Sequence, residues 1–190
     1  MAKVKLNPVL EAMREQVGDL VFKHYGDEVI VGRKPDRSGF QPSEAQSEHQ
    51  GRFRQAVLYG RLVMADPQKK AFYQEAAKAT GKPLFSLTVA DFFNAPAVDA
   101  VDLSAFSGAV GNEIVIQVHD DFEVTSVHVS ISDAGGQAIE AGAALEAPAR
   151  SGRWVYTATA TVAQGTEVRI AVIASDRPGG VGEAAAEKSL

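Results

Sequence analysis

The chain has 190 residues, 45% hydrophobic and 23% charged, which is the balance of folded proteins and not of disordered ones. Its 19 Lys and Arg stand against 24 Asp and Glu, a formal net charge of −5, so indiscriminate binding to nucleic acid over the whole surface is not expected. Cysteine is absent, which excludes disulfides, thiolate nucleophiles, zinc fingers and iron–sulfur ligation together.

The charge is unevenly divided. Residues 1–95 hold 14 Lys and Arg and 11 Asp and Glu, net +3, whereas residues 96–190 hold 5 and 13, net −8. Helical patterning is confined to the first part and strand patterning dominates the second, so the reading is two domains, 1–95 and 96–190. Pro8, Glu11, Arg14 and Glu15 interrupt the start of the chain, so no secretory signal is expected. No stretch approaches the ~20 apolar residues that span a bilayer. The default placement is cytoplasmic, with export by a non-classical route as the alternative.

In chain order, Ala2, Val4 and Leu6 alternate with Lys3 and Lys5 at the period of a strand. Asn7-Pro8 then reads as a helix start, with Val9, Leu10, Met13 and Val17 on one face and Gly18 as the stop. Leu20–Tyr25 and Glu28–Arg33 flank Gly26-Asp27, the pattern of a hairpin. Pro35–Pro42 is a polar loop. Ser43 and Gln46 form a capping box for the longest helix, whose apolar stripe is Phe53, Ala56, Val57, Gly60, Val63 and Met64. Asp66-Pro67 caps a second helix that ends at Gly81, and the apolar, aromatic run Leu84–Phe93 is expected to seal the joint between the domains.

Beyond residue 100 the pattern repeats strand, turn, strand. The runs are Val101–Phe106, Glu113–His119, Val124–Ser132, Ala138–Glu146, Trp154–Val162, Glu167–Ser175 and Val181–Lys188. Seven short strands in about 90 residues predict an antiparallel two-sheet sandwich. His119-Asp120-Asp121-Phe122-Glu123-Val124-Thr125-Ser126-Val127 resembles the second-to-third strand region of bacterial immunoglobulin-like repeats of the cadherin and fibronectin kind. Ala174-Ser175-Asp176-Arg177-Pro178-Gly179-Gly180 resembles the sixth-to-seventh strand turn of the same group. The resemblance covers residues 101–190 and implies a non-catalytic support or binding module. The expected fold class is therefore α+β: an N-terminal helical region with a hairpin, then a seven-stranded antiparallel immunoglobulin-like sandwich.

Strand alternation brings the loops Asp120–Glu123, Ala147–Gly152 and Asp176–Gly180 to one end of that sandwich. Asp120, Asp121 and Asp176 are the candidate ligands for Ca²⁺, the one cofactor the pattern leaves open, since this cation takes six to eight oxygens. The competing reading has Asp121 and Asp176 capping their own turns, with Arg150 and Arg177 balancing the charge. His24, His49, His119 and His128 lack metal-ligand spacing, and Trp154 with Tyr156 reads as core packing. Arg33, Lys34, Arg37, Arg52, Arg54 and Arg61 form a basic side that reads as solvated surface, with no aromatic interleaving of the kind nucleic acid binding uses. Neither a nucleophile elbow nor a phosphate loop is present, so no catalytic residues are expected.

Two functional expectations follow. One is a structural protein that self-assembles head to tail, its N-terminal segment contacting a neighbouring subunit to build a filament or surface array. The other is a monomeric binding module for carbohydrate or Ca²⁺ that uses the loop end of the sandwich.

Overall fold

The computed structural model describes residues 2–4, 15–25, 28–36, 38–39 and 41–190. They form an α+β chain, with short strands and helices first and antiparallel sheets after. Two compact units divide between Ser47 and Glu48. The expected boundary at residue 96 thus falls inside the second unit, which takes in most of the helical segment as well as the strands.

The first unit carries β1 (Ala2–Val4), β2 (Glu15–Val17), β3 (Leu20–Tyr25) and β4 (Glu28–Arg33) in one antiparallel sheet of order β1-β4-β3-β2. The expected hairpin is β3–β4, paired from Leu20↔Arg33 to Tyr25↔Glu28; its turn, Gly26-Asp27, lies outside the described residues, as do residues 8–14 of the helix expected to run from Pro8 to Val17. Residues 15–17 are strand and not the end of that helix, with Val17 opposite Leu20. Gly18, with φ of 60°, opens the tight turn into β3 where a helix stop was expected.

Helix α1 (Glu44–Ala65) starts on its capping box: Ser43 N–H donates to Gln46 Oε1 at 3.0 Å and Gln46 N–H to Ser43 Oγ at 3.3 Å. Ala56, Gly60 and Val63 of the expected stripe are buried, while Phe53 is half exposed and stacks on Phe93, 6.4 Å between centroids. Asp66 caps α2 (Pro67–Thr80) by accepting from the N–H groups of Gln68 and Lys69, and Gly81 closes that helix in the left-handed conformation. Residues Leu84–Phe93 are a third helix, α3, which buries Leu87, Thr88 and Asp91.

The strands β5 (Ala97–Asp102), β6 (Glu113–His119), β7 (Val124–Asp133), β8 (Ala138–Ala143), β9 (Leu145–Glu146), β10 (Arg153–Thr157), β11 (Glu167–Asp176) and β12 (Val181–Ser189) make two antiparallel sheets, ordered β5-β6-β10-β9 and β12-β11-β7-β8. Both sheets contribute to one core, with Ile114, Ile116, Trp154 and Tyr156 from the first and Val129, Ile131, Ile170 and Val172 from the second. Among the described residues this region has eight strands where seven were expected. The run Ala138–Glu146 is two strands in different sheets: at buried Ala144 the chain leaves β7 and joins β10, held by Ala144 N–H to Val127 O at 2.8 Å.

The run from Trp154 also stops earlier than its apolar pattern suggests. Past Thr157, one carboxylate oxygen of Glu140 accepts from Thr159 N–H (2.8 Å), Thr159 Oγ1 (2.6 Å) and Ala160 N–H (3.0 Å), so a side chain replaces the ladder. Glu140→Ala is expected to lower stability by about 2 kcal/mol, because two backbone donors lose their acceptor. Urea denaturation measures this, and an unchanged midpoint would show that the ladder tolerates the loss.

Candidate functional site

Three loops meet at one end of the sandwich. Arg177 Nε donates to Glu123 Oε2 at 2.7 Å, which joins the third loop to the first. Val118 N–H donates to Gly152 O at 2.8 Å and brings in the second. Gly152 has φ of 68°, and a Cβ there would lie 2.5 Å from the Val118 carbonyl oxygen, so this approach requires glycine.

Of the candidate calcium ligands, Asp120 and Asp176 are placed for turn capping and Asp121 holds a side chain. Asp120 Oδ2 accepts from Phe122 N–H (3.2 Å) and Glu123 N–H (2.8 Å), Asp121 Oδ2 accepts from Asn94 Nδ2, and Asp176 Oδ1 accepts from Gly179 N–H (2.8 Å) and Gly180 N–H. Among the described residues no three His, Asp or Glu side chains are grouped to hold a metal ion. One oxygen each of Asp120 and Asp176 is taken by backbone N–H groups, and Asp121 is engaged by the Asn94 side chain. Asp120 Oδ1 and Asp176 Oδ2 are left buried without a protein donor.

The helices bring a second set of groups to this end. Tyr59 of α1 and Tyr73 of α2 are linked hydroxyl to hydroxyl at 2.7 Å, and Tyr73 donates to Asp91 Oδ2 on α3. Tyr73 has one proton and gives it to Asp91, so Tyr59 is the donor between the two tyrosines. Phe122, from the first loop, packs on Tyr73 with centroids 5.1 Å apart, and the Arg177 guanidinium lies 4.0 Å over the Phe72 ring. Burial pushes the Asp91 carboxyl up to about 6; Asp120 and Asp176 add to the rise, while the Tyr73 hydrogen bond and Arg177 oppose it. Burial also raises Asp176, against the pull of the Gly180 and Gly179 N–H groups.

Beside this junction runs an open cleft of about 750 Å³. Phe72, Ala76 and Leu87 from the helices and Phe122 from the first loop supply its apolar surface, and Glu75, Lys82, Asp121, Glu146 and Arg150 are among its polar groups. Sequence reading located the loops but not Tyr59, Tyr73 or Asp91. The available signal was Asp91 itself, the one charged residue between Lys82 and Asp99. His119 is held by Asp99 at 2.8 Å, and His49 lies 5.6 Å from the Phe93 ring.

No family model and no curated protein matches the chain. A crystal structure of a conjugative transposon lipoprotein from Bacteroides eggerthii is similar at 16% identity over 48% of this chain and 92% of its own. The TM-score is 0.27. Among the described residues no helix is long and apolar enough to cross a membrane.

Two outcomes are expected. A carboxyl whose folded-state pKa is raised favours folding while it is protonated; that contribution is complete below about pH 4 and is lost as pH rises through 6. Asp91→Asn keeps an acceptor for Tyr73 but cannot ionise, so its stability should fall less than that of the wild type between pH 4 and 6. Urea denaturation across that window checks this, and parallel curves would contradict it. Gly152→Ala should cost about 2 kcal/mol in the same assay, because it strains φ and crowds Val118 O.

Proposed function

We propose that this chain is a non-catalytic interaction protein in which residues 97–189 are an immunoglobulin-like module and the cleft at its loop end receives a ligand. The sheet orders support the first part. With the strands named A to G in chain order and β8 as C′, they read A-B-E-D and G-F-C-C′, the arrangement of that fold.

The observation that carries the second part is the cleft itself, whose walls come from two helices and from loops of the sandwich. A volume near 750 Å³ with aromatic floor and polar rim has the dimensions of small-ligand sites. A binding role is favoured over a catalytic one because the loop carboxylates serve as turn caps and ion-pair partners.

A neutral apolar probe tests this reading. Nile red should bind the full-length protein at one site with a rise in fluorescence. Ala90→Trp, at an exposed position on the cleft wall, should weaken that binding about tenfold while leaving thermal unfolding unchanged. Equal uptake by both proteins, or none by either, would overturn it.

Self-association is a second reading, favoured by one feature of the first unit. Val17 and Leu20 form a cross-strand pair beside the β2–β3 turn and are 49% and 42% exposed, an apolar pair suited to cover by a neighbouring subunit. Light scattering of the full-length protein should then give a mass above that of one chain, and the double substitution Val17→Lys, Leu20→Lys should return it to that of one chain. A wild type that is monomeric at high concentration would count against this reading.

A further inference from the structure

We propose that the ligand of the loop-end cleft is a small amphipathic cation, an apolar or aromatic body carrying an ammonium or guanidinium group. This rests on the binding reading above and adds the chemistry of what binds. Three observations converge on it.

The first is the charge balance of the cleft. Glu75, Asp120, Asp121, Glu123 and Glu146 face Lys82 and Arg150. Arg177 neutralises Glu123, and Asp99 holds His119, so among the described residues four cleft carboxylates without a cationic partner stand against two cations. A cation entering the cleft is therefore attracted, and the field of the second unit, whose residues 48–190 hold 12 Lys and Arg against 17 Asp and Glu, adds to the attraction.

The second is the floor. Phe72 and Phe122 both line the cleft, with centroids 6.3 Å apart, and give an apolar body aromatic surface on which to pack.

The third is that the protein already binds a cation this way within itself. The Arg177 guanidinium lies 4.0 Å over the Phe72 ring and forms a 2.7 Å hydrogen bond with Glu123. An aromatic face below and a carboxylate at the edge is the pairing that selects organic cations. Phe122, with the exposed carboxylates Asp121 and Glu75 nearby, offers the same pairing to a molecule from solution. Lys82 and Arg150 set the orientation, because the charged end must turn away from them.

The test compares three probes of one shape, 4-phenylbutylamine, 4-phenylbutan-1-ol and 4-phenylbutyrate, titrated into the full-length protein and followed by amide NMR shifts in residues 72–90, 118–124 and 146–152. The amine is expected to bind about fivefold tighter than the alcohol, with the carboxylate weakest. Half-molar salt should remove most of that ranking. The double substitution Glu75→Gln, Asp121→Asn should abolish the preference for the amine while the alcohol binds as before, which shows that the fold and the apolar floor are intact. Equal binding of amine and alcohol, tighter binding of the carboxylate, or a preference that survives the double substitution would overturn the proposal. Those results would leave the cleft a binding site as long as Nile red is bound, so the two readings fail separately.

Discussion

A carboxyl group buried among helices must lose its charge or be met by donors, and Asp91 sits between these outcomes. One hydroxyl, from Tyr73, donates to it; Tyr59 in turn donates to Tyr73, and the chain of hydrogen bonds joins all three helices. Asp91 and Tyr73 are each 1% exposed, so the bonds lie where water does not compete and where a missing partner is expensive. The arrangement of the helices against one another follows from that constraint, because α1, α2 and α3 must all approach closely enough for the relay to close.

The same relay fastens the helices to the sandwich. Phe122 packs on Tyr73, and Arg177 reaches over Phe72 to Glu123, so aromatic and charged contacts run from α2 into two loops. Here the acidic second half of the chain meets the helices through one arginine and several capped carboxylates. Capping explains two of the Asp side chains that collect at this end: Asp120 and Asp176 supply acceptors to N–H groups that the tight turns leave outside the ladder. What remains beside this packed junction is the cleft, an opening between helices and loops, neither of which would form it alone.

Much of the architecture was legible in local chemistry. Ser43 and Gln46, Asp66-Pro67 and Gly81 marked helix ends because capping involves residues within one turn of one another. Strand alternation located Glu113–His119, Glu167–Ser175 and Val181–Lys188 to within a residue, since period two is itself a property of the sequence. The misjudged segments depend on distant partners. Residues 15–17 are strand because β3 lies beside them, β8 and β9 separate because their neighbours belong to different sheets, and Glu140 ends a run of residues about twenty positions away.

The candidate site divides along the same line. Sequence alone determined that Asp120–Glu123, Ala147–Gly152 and Asp176–Gly180 share an end, because antiparallel strands alternate direction. It also determined that this end is acidic, and that Asp121 and Asp176 had turn capping as an alternative to metal binding. Only the tertiary structure showed which donors meet these oxygens: backbone N–H groups at Asp176 and the Asn94 side chain at Asp121. Likewise it alone revealed Asp91 as the hub. A single charge within an apolar helix says that something must meet it, but the hydroxyl that does so is 18 residues away and was brought there by packing.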